Sequence, residues 1–423
     1  MIDKAAPDNP SPINLLTDPF RRGIILIATG TLLVVLTFGG SWIFAADTTN
    51  VTPDADTANG TLVGVQGPGR GGNVTMLDGN GTVSWSIGNA IGYTDVSYLE
   101  NGSVLATFAA GGYKECGQYE PPCKRTGVRI IQPEPEPHVV DEWTYPVRTR
   151  KDSEVHDAEI TPSGELLVAD MEYESIFTLN MSTGERTWTW NASSYYEAPD
   201  DPTREDWLHI NDVDRIGEGR YLVSVRNANQ LLVIERGEGV VEVINKDRDP
   251  SIMYEQHNPQ WLGDGAVVVA DSENDRVVEL HRNDNGDWEV VWVLTEADGI
   301  AFDWPRDADR LPDGNTLITD SRNNRVVEVH RNGSVVASYT VQALPYEADR
   351  LPVGESARNP YPVASDNIDP DTTRGRDIPI LSLLLAGLRD TIALPYWVSE
   401  LHLAAVLAAL SLYAWGGWLI GRE

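Results

Sequence analysis

Between residues 60 and 354 the apolar positions come in short bursts, such as Leu166-Leu167-Val168-Ala169 and Val267-Val268-Val269-Ala270, separated by Gly, Asn and Asp. Short apolar runs bounded by turn residues at regular spacing predict β-strands of a sandwich, barrel or propeller. The two ends of the chain are different. Gly23 to Ala46 is a run of 24 residues without a charge, and Leu401 to Ile420 is a second apolar run, closed by Arg422. Each is long enough to cross a hydrocarbon layer of about 30 Å. Arg21 and Arg22 precede the first run, and Trp397 just before the second and Trp415 and Trp418 near its end fit interfacial anchoring.

The strand region repeats. His156-Asp157-Ala158 leads to Gly164 and a strand ending at Asp170. Asn211-Asp212-Val213 leads to Gly219 and Ser224, His257-Asn258-Pro259 to Gly265 and Asp271, and Arg306-Asp307-Ala308 to Gly314 and Asp320. A fifth copy starts at Thr94-Asp95-Val96 and reaches Gly102. Each copy continues with two more strands, so the repeat is a four-stranded unit of roughly 50 residues, the size of a propeller blade. Residues 60–88 carry three strands without a first one, and Tyr346 to Gly354 repeat only the first-strand pattern. Together they make one blade. The expectation is therefore an all-β, six-bladed β-propeller over residues 60–354, closed by pairing its N- and C-terminal pieces, with a transmembrane helix at each end.

The remaining segments follow from this frame. Residues 1–22 and 47–59 read as a cytoplasmic N-terminus and a linker, 355–377 as a polar linker, and 378–398 as a segment lying on the membrane surface. Two spans place the propeller on the extracellular side with both termini in the cytoplasm, in the cell membrane. A cleaved signal peptide is the competing reading of the first run, since Phe44-Ala45-Ala46 offers small residues to a peptidase. Asn-x-Ser/Thr sequons at Asn50, Asn59, Asn73, Asn80, Asn101, Asn180, Asn191 and Asn332 all fall between the spans. Cys116 and Cys123, the only cysteines, share one loop and are expected to form a disulfide in an oxidising compartment.

Charge narrows the partners. The chain holds 64 acidic against 32 basic residues, a formal net charge of −32, and only five of the basic residues are lysines. A surface this acidic is suited to high salt, where screening removes self-repulsion, and it excludes nucleic acid as a partner.

First strands line the channel of a propeller. The residues eight positions before each turn glycine are Thr94, His156, Asn211, His257, Arg306 and Tyr346, so they should share one rim. His209 lies just outside Asn211, and Arg226, seven residues beyond Gly219, returns to the same end. Three His and two Arg from distant segments should thus converge. Such a set suits a small tetrahedral anion: Arg offers paired N–H donors, and His acts as nucleophile or acid/base near neutral pH. No metal is implied, since guanidinium groups oppose a divalent cation. The acids that follow the rim position (Asp95, Asp157, Asp212, Asp307) recur in most copies, which predicts a structural role, bonding backbone N–H groups of the next blade. Asn274, Arg276, Asn323 and Arg325, in a twice-repeated Asp-Ser-x-Asn-x-Arg-Val-Val-Glu, are likewise expected to be structural.

These residues resemble the arylsulfotransferase (aryl-sulfate sulfotransferase) family. Its Asp-Trp-x-His-x-Asn stretch is matched by Asp206-Trp207-Leu208-His209-Ile210-Asn211, and its Ser-x-Arg by Ser224-Val225-Arg226. Its His-Asp is matched by His156-Asp157, its Gln-His by Gln256-His257, and its blade-ending Gly-x-x-x-Trp by Gly184 to Trp188. The resemblance implies a six-bladed propeller that moves a sulfuryl group from a phenolic sulfate ester to a phenol, with no nucleotide and no cofactor. His257 would be the nucleophile, with Arg226, His156 and His209 as the other catalytic groups and Asn211 and Arg306 binding substrate. Val155 stands where the family often has a further His. Two other readings compete. One is a non-catalytic extracellular propeller that binds a ligand or partner. The other is a lactonase-like hydrolase with a channel Ca²⁺, which would put Asp, Asn and Glu on the rim.

Overall fold

The computed structural model describes residues 18–45, 50–51, 60–67, 71–148, 153–263, 265–341, 343–352, 361–363, 379–389, 391–392 and 394–422. The chain divides into a helical unit and a strand unit.

The strand unit is the six-bladed propeller, with the expected closure. Blade 1 pairs the C-terminal strand Pro345–Arg350 with Thr61–Val65, Gly72–Leu77 and Val83–Ala90. Blade 2 spans Gly92–Val147, blade 3 Val155–Asn191, blade 4 Ile210–Ile244, blade 5 His257–Leu294 and blade 6 Pro305–Thr340. Every blade is a four-stranded antiparallel meander, and Asn50–Val51, within the stretch read as a linker, adds a fifth strand to blade 6. The join is tight: Thr61↔Arg350 through Gly64↔Glu347 are in register, and the Leu351 N–H donates to the Gly60 carbonyl at 3.2 Å. Gly60 and Leu351 lie on the face that carries the first-to-second-strand turns. The opposite face is called the mouth below.

Six apolar clusters hold the ring, one at each blade interface. Leu105 and Val128 pack on Val168 and Phe177 between blades 2 and 3, for example, and Leu222 and Val233 on Val267 and Val278 between blades 4 and 5. Burying both faces of each sheet explains why second strands such as Ala266–Asp271 are buried throughout rather than alternating. Polar bonds add register. The inner edge of each first strand would leave bare N–H groups, and side chains from the preceding blade cover them. Asp95 accepts from Ala158 N at 3.2 Å, Asp157 from Val213 N at 2.8 Å, and Asp307 from Ala348 N at 3.0 Å. This is the structural role expected of the recurring acid. A second acid two residues on repeats the device, with Glu159 accepting from Arg215 N and Asp349 from Tyr98 N. The duplicated motif is structural too. Arg276 and Asn274 bind Asp271, and Arg325 and Asn323 bind Asp320, each arginine also reaching a loop carbonyl. Cys116 and Cys123 form a disulfide that closes the loop above blade 2.

The helical unit contains α1 (Pro19–Phe44), α2 (Pro379–Arg389) and α3 (Glu400–Ile420). Asp18 caps α1 through the Phe20 N–H, with Pro19 at the first helical position. α1 and α3 are long and apolar enough to cross a membrane. They touch through small residues: a Cβ on Gly23 would lie 2.6 Å from the Gly416 carbonyl oxygen, and one on Gly30 would lie 3.3 Å from Ala409. Hydroxyl and imidazole groups bridge the same seam, Thr31 to Tyr413 and Ser41 to His402, both at 3.0 Å.

Candidate functional site

The rim residues are aimed by a defect that recurs around the ring. Where each first strand meets its second at the mouth, the register slips by one residue. In blades 1, 2, 4 and 6 the extra residue is Tyr346, Thr94, Asn211 and Arg306, respectively. In blade 3 His156 and Asp157 stand opposite Ala169 alone, and in blade 5 the slip follows His257, with Asn258 at φ 32°. A β-bulge releases one side chain from the alternation of the strand and turns it toward the opening.

A second ring lies two residues earlier. His209, Glu255, Trp304 and Leu344 all have positive φ, between 46° and 62°. Each is pinned by a side chain from the preceding blade's turn, itself left-handed: Glu174, Asn229, Asp275 and Asn324. Asn229 accepts from Glu255 N at 3.0 Å, Asp275 from Trp304 N at 2.7 Å, and Asn324 from Leu344 N at 3.1 Å. Glu174 does most. Its carboxylate takes three consecutive N–H groups, Leu208 (3.0 Å), His209 (2.7 Å) and Ile210 (2.9 Å). Burial pushes its pKa up to about 8, against the pull of those three bonds. E174A should leave three buried donors bare and cost at least about 3 kcal/mol, read as a lowered denaturation midpoint; a midpoint unchanged from wild type would refute the pinning role.

The side chains from both rings meet. The His156 and His209 rings lie with centroids 5.0 Å apart at a tilt of 31°, and Tyr346 lies between His156 (5.7 Å) and His257 (5.8 Å). His156 Nδ1 and the Tyr346 hydroxyl are 3.0 Å apart. Asp206 accepts from His209 Nδ1 at 2.8 Å, so the other ring nitrogen is the one presented onward. Arg306 is held flat, its guanidinium carbon 3.6 Å from the Trp304 ring and 4.4 Å from the Tyr346 ring, with Nη1 donating to Gln66 Oε1 at 3.1 Å. Arg226 opens the turn after the second strand of blade 4, its N–H on the His209 carbonyl, and its guanidinium pairs with Glu255 and with Asn227 Oδ1. Asn211 donates to the Gln256 carbonyl at 2.8 Å and keeps a buried Oδ1 without a hydrogen-bond partner, so it joins blades 4 and 5 as well as facing the cluster.

His257 is the most constrained member. Its Nδ1 lies 2.8 Å from Ser272 Oγ, and that hydroxyl donates to the Pro305 carbonyl at 2.6 Å. With its proton committed there, the hydroxyl can only accept from the imidazole, which places the proton on Nδ1 and the lone pair on Nε2. Burial, then the charges of Arg306 and Arg226, hold its pKa well below the usual histidine range. Burial also lowers that of His209, while it raises the Glu255 carboxyl. The arrangement offers neutral imidazoles beside guanidinium groups in a water-poor cleft, able to bind a small anion and to attack or shuttle a proton. Among the described residues no His, Cys, Asp and Glu are grouped to hold a metal.

The sequence-chosen set of His156, His209, Asn211, Arg226, His257 and Arg306 therefore comes together at one end of the channel. Glu255, Trp304 and Ser272 were not foreseen. The offset that singled out His209 would have found the first two, because the same position two before the rim in the next copies is Glu255 and Trp304. Ser272 carries no such signal, since it follows a strand end like any turn serine.

No family model and no curated protein matches this chain. Among solved structures, a Bacteroides caccae protein of unknown function is similar at 16% identity over 69% of this chain and 98% of its own, with TM-score 0.49. The periplasmic gluconolactonase of Pseudomonas aeruginosa shares 12% identity over 68% and 98%, TM-score 0.40, and virginiamycin B lyase of Staphylococcus aureus 12% over 59% and 70%, TM-score 0.38. These likenesses concern the propeller fold alone.

Proposed function

We propose that the propeller is an arylsulfotransferase-like enzyme that passes a sulfuryl group between phenolic compounds through His257. The observation that carries this reading is the Ser272 contact, which commits Nδ1 as donor and leaves Nε2 of a neutral imidazole as an electron pair among Arg226, Arg306, His156 and His209. Nε2 attacks the sulfur of an aryl sulfate. The S–O bond to the phenol breaks, its electron pair goes to the phenolate oxygen, and the phenolate takes a proton from the His156–His209 pair, which takes one up when the charge of the bound anion favours its cationic form. The arginines hold the sulfuryl oxygens as charge moves onto them. An acceptor phenol then attacks the same sulfur, the N–S bond breaks, and the acceptor's proton returns to the histidine pair. The cycle is ping-pong and relies on positioning and charge, as phosphoryl transfer does. The donor and acceptor enter from the mouth, and the apolar helices hold the propeller at the outer surface of the cell membrane.

The test is to mix the full chain with a panel of aryl sulfates, quench, and map the mass of SO₃ onto peptides. The expected result is phenol release with a labile adduct on the peptide containing His257; an adduct confined to another residue would overturn the assignment.

One observation favours a second reading, a non-catalytic propeller that binds a ligand at the mouth. The Arg226 guanidinium is already paired with Glu255, so an incoming anion must displace a carboxylate. Ligand binding that survives H257A, with no turnover in wild type, would select that reading.

A further inference from the structure

The sequons do not share one geometry, and the difference sets three of them apart. Asn101 lies in the turn between the first two strands of blade 2, Asn180 ends the third strand of blade 3 at its turn to the fourth, and Asn332 lies in the turn between the last two strands of blade 6. All three turns are on the face opposite the mouth, and all three asparagines are exposed. In each, the asparagine Oδ1 accepts twice from the serine of its own sequon. Ser103 gives N–H at 3.0 Å and Oγ–H at 2.6 Å, Ser182 gives 2.9 and 2.6 Å, and Ser334 gives 3.0 and 2.7 Å. The carbonyl end of each amide is thus held inward by the turn and the Nδ2 end is turned outward to water.

Asn73 and Asn191, which lie in strands, differ. Asn73 lies in the third strand of blade 1 at the mouth, paired with Val65; its Oδ1 accepts from the hydroxyl of its own sequon's Thr75 at 2.5 Å, but Thr75 is a sheet residue rather than a turn residue, and the Asn73 Nδ2 is tied down, donating to the Gly71 carbonyl at 3.2 Å. Asn191 ends the outer strand of blade 3, also at the mouth, paired with Ser175, and the hydroxyl that reaches it is that of Ser194, onto its backbone carbonyl. At Asn80 the turn's N–H groups go to Asp78 instead of to the sequon asparagine.

We propose that Asn101, Asn180 and Asn332 are N-glycosylated, that Asn73 and Asn191 are not, and that the glycans therefore coat the face opposite the mouth. The donor is a sugar chain on a membrane lipid phosphate, delivered by a membrane transferase outside the cytoplasm. Asn Nδ2 attacks the anomeric carbon, the bond from that carbon to the phosphate oxygen breaks, the lipid phosphate leaves with the electron pair, and a transferase base takes the Nδ2 proton. Three bulky hydrophilic chains on this face leave the cleft around His257 open to small solutes. This inference does not depend on the sulfuryl-transfer reading.

The experiment uses the full chain purified from membranes of the cells that make it. Proteolytic fragments are weighed by mass spectrometry with the glycans intact. Fragments holding Asn101, Asn180 and Asn332 should each carry the same added sugar mass, and those holding Asn73 and Asn191 should have their unmodified mass. S103A, S182A and S334A should each remove one glycan, seen as a single step in electrophoretic mobility, with the propeller folded. Unmodified fragments at all three asparagines, or sugar on Asn73 or Asn191, would overturn the proposal. Occupancy at the three sites also places the propeller on the outer side of the membrane.

Discussion

H257A should abolish aryl-sulfate turnover, by at least about a thousand-fold, while leaving the propeller folded. The side chain is buried but polar, and it touches Ser272, Tyr346 and Trp304 rather than an apolar cluster, so its loss removes a nucleophile more than it removes packing. S272A separates two explanations of such a loss. It keeps the imidazole but removes the group that dictates its tautomer, and Nδ1 would then share the proton with Nε2. Turnover should fall about 10- to 100-fold, as for the loss of an orienting hydrogen bond on a functional histidine, and the fall should appear in kcat rather than KM. The pH profile sharpens this. Because burial and the neighbouring arginines depress the His257 pKa, its neutral form persists well below pH 6.5, so the acidic limb of kcat/KM should lie below that value. Turnover by H257A within a few-fold of wild type would end the nucleophile assignment, whatever became of the fold.

The second large effect concerns stability. First strands put a column of carboxyl groups along the channel, and burial raises Asp95, Glu159, Asp307 and Asp349 to about 7, and Asp157, Asp212, Asp214 and Asp309 well above the usual carboxylate range. A raised folded-state pKa means that the folded chain holds protons the unfolded chain has released. The associated stability is complete below the unfolded value near 4 and is lost as pH rises through about 7. His257 and His209 act in the opposite direction: their depressed values contribute stability above pH 6.5 that is lost on acidification. An Asp→Asn pair isolates the carboxyl term. Asp212 has no next-blade N–H to accept, because the matching position is Pro259, and its Oδ1 is buried without a hydrogen-bond partner; Asp309 Oδ1 is in the same state. D212N and D309N should each stabilise the propeller at pH 8 by on the order of 1–2 kcal/mol. At about 2–4 °C per kcal/mol for a domain of this size, that is a visible rise in melting temperature. At pH 4 the gap to wild type should vanish. A variant that melts lower than wild type at pH 8, or a gap equal at both pH values, would mean that these carboxyls are ionised and compensated in the channel.

What the sequence determined by itself is the repeat, its count and its closure. Alternation of apolar bursts with Gly and Asn turns is a local property, and Tyr346 to Gly354 could be matched to Arg306 to Gly314 without knowing where either lies. The apolar helices and the Cys116–Cys123 pairing are local in the same sense, and so is the convergence of His156, His209, His257, Arg226 and Arg306, because circular symmetry maps equal offsets to equal positions. Tertiary structure decided what depends on contacts between blades. The bulge that turns each rim side chain toward the mouth is a mismatch between two strands, invisible in either one. The left-handed backbone of His209, Glu255 and Trp304 is imposed by Glu174, Asn229 and Asp275 from the blade before, so no property of those three residues announces it. The proton on His257 is placed by a serine whose own hydrogen goes to Pro305 in a third segment. Sequence periodicity carries position around the ring; the hydrogen bonds that cross between blades set direction and protonation, which chemistry at the mouth requires.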